Sequence, residues 1–145
     1  HVLSRVDGNS VVYAGPVDDA QKSALLRQAA AFLMPILWDE PFGIVMVEAM
    51  ACGVPVLGFN RGAVSEVVED GITGYVCKDV SEPVAPVHNL DQLDRAACRA
   101  SGERLYSQDA VVEGYLKVYE ARIGRNIDSR ASGSMPAATA SSSAA

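Results

Sequence analysis

The chain has 145 residues, of which 49% are hydrophobic, and a formal net charge of −6. That is enough apolar material for one compact domain with a real core and too little for two large ones. The acidic balance provides no broad electropositive surface, so nucleic acid is excluded as an expected partner. No run reaches the roughly 18 to 20 consecutive apolar residues that span a bilayer, and His1-Val2-Leu3-Ser4-Arg5 carries no signal-peptide pattern. A soluble, cytoplasmic setting is the expectation.

In chain order, Val11-Val12-Tyr13-Ala14-Gly15 is a β-branched run stopped by Gly15-Pro16, which predicts a buried strand and a turn. Asp18 or Asp19 caps a helix over residues 19–31, with Ala24, Leu25, Leu26, Ala29 and Ala30 as its apolar stripe. Residues 32–37 read as a second buried strand, and a helix runs from about Gly43 to Cys52. Gly53-Val54-Pro55 stops that helix, and Val56-Leu57-Gly58-Phe59 forms a third strand. A short helix over residues 65–69 follows, closed by Asp70-Gly71, and then a strand or turn over residues 73–77.

Residues 79–88, with Pro83 and Pro86, read as an exposed connection. Asn89 or Asp91 caps a helix reaching about Ala100. Ser107 starts another through about Ile123, whose face of Val111, Val112, Tyr115, Leu116, Val118 and Tyr119 is expected to pack across a neighbouring surface. Residues 129–145 are almost entirely Ser, Ala, Gly, Thr and Pro, a composition that predicts a disordered tail. Strands alternating with helices of about ten residues imply βαβ units, and the class is α/β with a parallel sheet.

Cys52, Cys77 and Cys98 lie far apart without CxxC spacing, which predicts reduced structural thiols and neither a disulfide framework nor a metal site. No GxGxxG or GxxxxGK[ST] loop occurs, which weakens the common dinucleotide and P-loop readings. His88 has no second histidine or nucleophile beside it and is not expected to be catalytic. Trp38 reads as core or rim packing, with stacking on a base or sugar as the alternative, and Asp39 as loop solvation.

Chemistry concentrates in residues 40–56, where two carboxylates flank a loop-to-helix transition. Gly43 permits close backbone approach at the helix start, so the free N–H groups of residues 43–46 can face an anion at the positive end of the helix dipole. Glu48 lies one and a half turns into the helix, where a carboxylate can accept from vicinal hydroxyls of a ribose. Glu40 precedes the helix on a strand-end loop, where ligands meet the carboxyl ends of strands in an open α/β sheet.

Glu40 through Glu48 resembles the E-x7-E motif of retaining GT-B glycosyltransferases, family 4 above all. Glu40-Pro41-Phe42-Gly43-Ile44, Glu48-Ala49-Met50-Ala51, Gly53 and Pro55-Val56 stand in register with that family's pattern. The likeness extends over Val12-Tyr13-Ala14-Gly15, Arg61-Gly62, Glu66-Val67-Val68, Asp70-Gly71-Ile72-Thr73-Gly74-Tyr75-Val76 and the helix from Ser107 to Tyr119. It implies a Rossmann-like parallel sheet flanked by helices, the C-terminal half of a GT-B fold, in residues 1–128. The reaction it implies is transfer of a sugar from a UDP-, GDP- or ADP-sugar to an acceptor with the anomeric configuration retained, without a metal or other cofactor.

By the same resemblance Glu40 approaches the donor sugar as the catalytic carboxylate. The backbone of Phe42, Gly43, Ile44 and Val45 holds the phosphates, and Glu48 binds the ribose. Arg61 reaches a phosphate or sugar hydroxyl, with a surface arginine as the equal alternative. The family's opening strand, its Gly-Arg loop, its diphosphate-gripping Lys, its second strand and its N-terminal acceptor domain have no counterpart in the sequence. The expectation is therefore a fragment, with acceptor choice and any peripheral membrane contact belonging to the full-length enzyme. Two other readings compete: a non-catalytic nucleotide-binding or interaction module, and a different nucleotide enzyme such as a GT-B epimerase or an oxidoreductase.

Overall fold

The computed structural model describes residues 2–78 and 87–131, with side chains from residue 4 to 78 and from 87 to 124. Two units are distinguished, His1–Tyr106 and Ser107–Ala145.

The first unit is built on a three-stranded parallel sheet in the order β1-β2-β3, with β1 Phe32–Met34, β2 Val56–Phe59 and β3 Gly74–Cys77. All four residues of β2 are buried, as a central parallel strand covered on both faces requires. Gly74 stands opposite Val56, and its backbone lies so close to the Val56 carbonyl that no side chain fits there. α1 Asp19–Gln28 precedes β1, α2 Ile44–Ala51 and α3 Val64–Val67 run between the strands, and α4 Arg95–Tyr106 follows them.

Met46, Ala49 and Met50 of α2, with Val54, Val56, Val64 and Cys98, lie wholly out of solvent and form the centre of the core. Gly102 of α4 lets that helix approach α2: a Cβ there would come within 3.0 Å of Met50 Cβ. The start of α4 is also tied to the end of α1. Arg95 Nη1 donates to the Ala29 carbonyl at 2.7 Å, placing a cation at the negative end of a helix.

The helix and strand expectations hold in kind, with specific corrections. Asp18 is the cap of α1, accepting from Gln21 N at 2.8 Å while Gln21 Oε1 accepts from Asp18 N at 3.0 Å. The helix stops at Gln28, and of its expected stripe only Leu26 and Ala29 pack on the core, whereas Ala24, Leu25 and Ala30 are exposed. Residues 11–15 form no strand: Val12 and Tyr13 are exposed, and Asp7 Oδ1 accepts from Asn9 N and Val11 N, folding the chain locally instead. A β-branched run needs a ladder partner, and among the described residues no strand of the sheet pairs with residues 11–15.

β1 ends before Pro35, which cannot donate to a ladder, and its Leu33 faces solvent. The helix expected from Asn89 or Asp91 begins later and runs further. Residues Leu90–Gln92 form one 3-10 turn, and Asp94 Oδ1 then accepts from Ala96 N at 2.8 Å to open α4, which continues to Tyr106. Burial of Cys98, Ser101 and Gly102 carries the helix through residues with weak helix propensity. The connection expected over residues 79–88 lies outside the described residues except for Val87 and His88, both exposed.

The second unit consists of α5 Gln108–Ala131, opened by Ser107, whose Oγ accepts from Ala110 N at 3.3 Å. Glu113 and Lys117 pair at 2.7 Å one turn apart. Val111, Val112, Tyr115, Leu116, Val118 and Tyr119 form the expected apolar face, and all are exposed. Residues 129–131 continue the helix, and the remainder of the expected tail, 132–145, lies outside the described residues. Among the described residues no helix is long and apolar enough to cross a membrane.

None of the three cysteines is in a disulfide; Cys77 and Cys98 are buried and Cys52 is half-buried. Burial pushes the Cys98 thiol from its ordinary 9.0 up to about 11. A raised folded pKa means stability that is full below the unfolded value and lost as pH rises through the folded one. Urea denaturation should therefore show stability falling between pH 9 and 11, and C98A should flatten that fall in part. Burial of Tyr106 and the carboxylates beside Lys22 also raise pKa values, and act in the same direction. At neutral pH a thiol reagent should modify Cys52 promptly, and Cys77 and Cys98 only after unfolding.

Candidate functional site

The carboxyl ends of β1 and β2 point the same way because the strands are parallel, and the loops leaving them meet there. The loop after β1 carries Trp38, Asp39, Glu40, Phe42 and Gly43, and the loop after β2 carries Arg61 and Gly62. Three contacts bind the two loops. Ala63 N donates to Glu40 O at 2.8 Å, Gly62 N donates to Asp39 Oδ1 at 3.2 Å, and the Gly62 backbone packs directly on that of Glu40. Asp39, expected to be loop solvation, is thus an acceptor that fastens one loop to the other.

Glu40 is half-buried and its carboxylate is oriented from two sides. Gly43 N donates to Oε1 at 3.2 Å and Trp38 Nε1 to Oε2 at 3.2 Å. Trp38 is 62% exposed, which rules out the core half of the expected core or rim packing, and its indole serves Glu40. Gly43 is the N-cap of α2 in the left-handed region, φ 72°, and a Cβ there would come within 2.7 Å of Met46 Cε.

The N-terminus of α2 differs in detail from the expectation of free N–H groups over residues 43–46. Gly43 N is taken by Glu40, and Met46 N donates to Gly43 O at 2.9 Å. Ile44 and Val45 keep N–H groups with no acceptor in the preceding turn, and Gly43 supplies no side-chain cap. Ile44 is exposed and Val45 packs against the core. The Phe42 ring meets Tyr106 edge to face, centroids 5.8 Å apart, which holds the loop to the end of α4.

Glu48 projects to a different surface of α2. Its Oε1 accepts from Lys22 Nζ at 2.7 Å, and Lys22 also pairs with Asp19 at 3.1 Å. Glu48 Oε2 is buried with no hydrogen-bond partner among the described residues. These groups line a cleft of about 240 Å³ with Ser23, Leu26, Ala51 and Cys52. The two carboxylates lift the pKa of the Lys22 ammonium, Glu48 most of all, so it stays charged. Lys22 escaped the sequence reading because no motif marks it. The available signal was helical: residues 22, 26 and 29 share a face, and a lysine there stands in line with two core-facing residues.

Arg61 is exposed, and its side chain has no ion pair among the described residues. The structure therefore brings Glu40, Phe42, Gly43, Ile44, Val45 and Arg61 to one sheet end, and sets Glu48 further along α2 facing α1. Among the described residues no group of three or more His, Cys, Asp or Glu converges as metal ligands.

The sequence profile of the family "Glycosyl transferases group 1" matches residues 3–93. A phosphatidyl-myo-inositol mannosyltransferase of Mycolicibacterium smegmatis is 34% identical over 128 residues, covering 83% of this chain and 33% of that protein. An N-acetyl-alpha-D-glucosaminyl L-malate synthase of Bacillus anthracis is 34% identical over 117 residues, covering 75% of this chain and 30% of that protein. Among solved structures, Anabaena HepE in complex with UDP superposes with a TM-score of 0.64 at 22% identity, over 78% of this chain and 33% of that one. The chain spans about a third of the length of these proteins, and the match to HepE establishes the α/β fold.

The tie between the loops can be tested at glycine. Gly62→Ala meets both a left-handed backbone and the Glu40 main chain, whereas Gly71→Ala, with φ 77° and nothing within 4 Å, meets the backbone cost alone. Urea denaturation should give about 1 kcal/mol lost for Gly71→Ala and at least about 2 kcal/mol for Gly62→Ala. Equal losses would show that the close approach is not energetically significant.

Proposed function

The chain belongs to the glycosyl transferases group 1 family, and from that premise we propose that it is the donor-binding part of a retaining GT-B glycosyltransferase using a nucleoside-diphosphate sugar. The observation that carries the reading is the pair of carboxylates around the start of α2. Glu40 is oriented at the sheet end, and Glu48 presents a carboxylate oxygen that no group among the described residues satisfies. A buried, unsatisfied acceptor costs about 1–3 kcal/mol, a cost that a ligand hydroxyl would remove. The fold likeness to a protein holding UDP agrees with such a donor.

In this reading Glu48 accepts from the ribose, and the N–H groups of Ile44 and Val45, with the positive end of the α2 dipole, face the diphosphate. As the bond from the anomeric carbon to the diphosphate oxygen breaks, negative charge grows on the leaving group. Fixed N–H donors stabilise it without reorganising and without calling on a divalent ion. Glu40 lies beside the sugar, and Arg61, free to swing at the adjoining loop, meets a phosphate or sugar hydroxyl. The acceptor hydroxyl oxygen forms the new glycosidic bond on the face the diphosphate leaves and passes its proton to the departing diphosphate oxygen, so configuration is retained. Acceptor binding is assigned to parts of the longer enzyme beyond this chain.

Calorimetric titration with UDP, GDP and ADP tests the site. One of the three should bind saturably, and E48A should weaken it by at least about tenfold, the loss expected for hydrogen bonds to a charged acceptor. No saturable binding of any of the three to the wild-type chain would overturn the reading for this chain.

A further inference from the structure

Glu48 and Lys22 face one another across the cleft between α1 and α2, and their hydrogen-bonding capacities are unspent in complementary ways. A lysine ammonium has three N–H donors. Lys22 directs one to Glu48 Oε1 and one to Asp19 Oδ1, which leaves a third without an acceptor among the described residues. Glu48 Oε2 is an acceptor without a donor among the described residues. A hydroxyl group both donates one hydrogen bond and accepts others, so one hydroxyl, or a vicinal pair, satisfies both atoms at once.

Neither residue is locked away from such a ligand. The two side chains are 32% and 34% exposed and line the same cleft of about 240 Å³. Oε2 itself is closed to water, but the terminal torsion of a glutamate is broad and two-fold, so rotation about it is the motion by which a ligand in the cleft would meet that oxygen. Leu26 and Ala51 supply apolar walls, and the capping box at Asp18 and Gln21 fixes the turn of α1 from which Lys22 projects.

We propose that Lys22 is a ligand-contacting residue that reads ribose hydroxyls jointly with Glu48, the ammonium donating to one hydroxyl oxygen while the carboxylate accepts from its neighbour. This rests on the reading of Glu48 as the ribose acceptor and adds a donor to it. Without Lys22 the carboxylate loses the partner that holds it in place, and the hydroxyls lose a donor. A ligand lacking a hydroxyl cannot report on either loss.

The test compares affinities of UDP, GDP and ADP with those of their 2′-deoxy counterparts for the wild-type chain, K22M, K22R and E48Q, with thermal midpoints recorded alongside. Wild type should prefer one ribonucleotide over its deoxy form by about tenfold, the effect of a hydrogen bond to a charged group. K22M should reduce that preference to about twofold or less by lowering ribonucleotide affinity alone, and K22R, which keeps charge and donors, should restore part of it. K22Q is read the same way if K22M does not fold. Loss of the preference in E48Q with its retention in K22M would overturn the role of Lys22 and leave the ribose reading standing. Equal weakening of ribo- and deoxynucleotide in K22M would overturn it too, since charge or fold alone would then explain the effect. No preference in wild type, or one unchanged in E48Q, would overturn the ribose reading and the proposal together.

Discussion

The candidate site depends on the fastening of two strand-end loops to each other. Ala63 N–H reaches the Glu40 carbonyl, Gly62 N–H reaches the Asp39 carboxylate, and the Gly62 main chain rests on that of Glu40 where no side chain could stand. Each hydrogen bond contributes only about 0.5–1.5 kcal/mol net, but together they decide where the chain leaves β1 and where α2 begins. With Glu40 held there, its carboxylate can accept from Gly43 N, and Gly43 can take the left-handed turn that launches the helix. The position of Glu48, a turn and a half further on, follows from that start.

The two carboxylates of the E-x7-E spacing are held in different ways. Glu40 has a donor on each oxygen, from the indole of Trp38 and the N–H of Gly43, so its direction is set by its own loop. Glu48 has one oxygen against the Lys22 ammonium and the other buried without a partner among the described residues, so its direction is set by a neighbouring helix. Under the function proposed above, rigid local bonding suits Glu40 to stand at one point beside the sugar, and an ion pair with unused capacity suits Glu48 to recognition, because the ligand would supply the missing bond.

The departures from expectation share one cause. Val11 to Gly15 has the composition of a strand, but composition alone makes none: the Asp7 carboxylate folds the segment locally, and among the described residues no strand of the sheet pairs with it. Neither Trp38 nor Asp39 carries a local sequence signature of hydrogen bonding, and their partners lie 2 and 23 residues away. Lys22 and Glu48 are separated by 26 residues, a relation no spacing rule reaches. Ser101 and Gly102, poor helix formers, stay helical because α4 needs small residues where it crosses Met50.

What the chain determined by itself was whatever nearest neighbours control. The capping box at Asp18 and Gln21, the left-handed turn at Gly43, the stop after Ala51 and the buried run of β2 are set by backbone sterics and by hydrogen bonds within a few residues, so their signatures sit in contiguous sequence. The E-x7-E segment belongs to the same class, since both glutamates lie on one loop and one helix. The tertiary structure alone decided which groups the Asp39 and Glu48 carboxylates meet. That depends on parallel strands bringing two loops to one sheet end, and on α1 packing beside α2 closely enough for an ammonium to reach a carboxylate. Such contacts are made between segments that fold independently of their sequence separation, and their energies are settled by burial and geometry that no single stretch of residues contains.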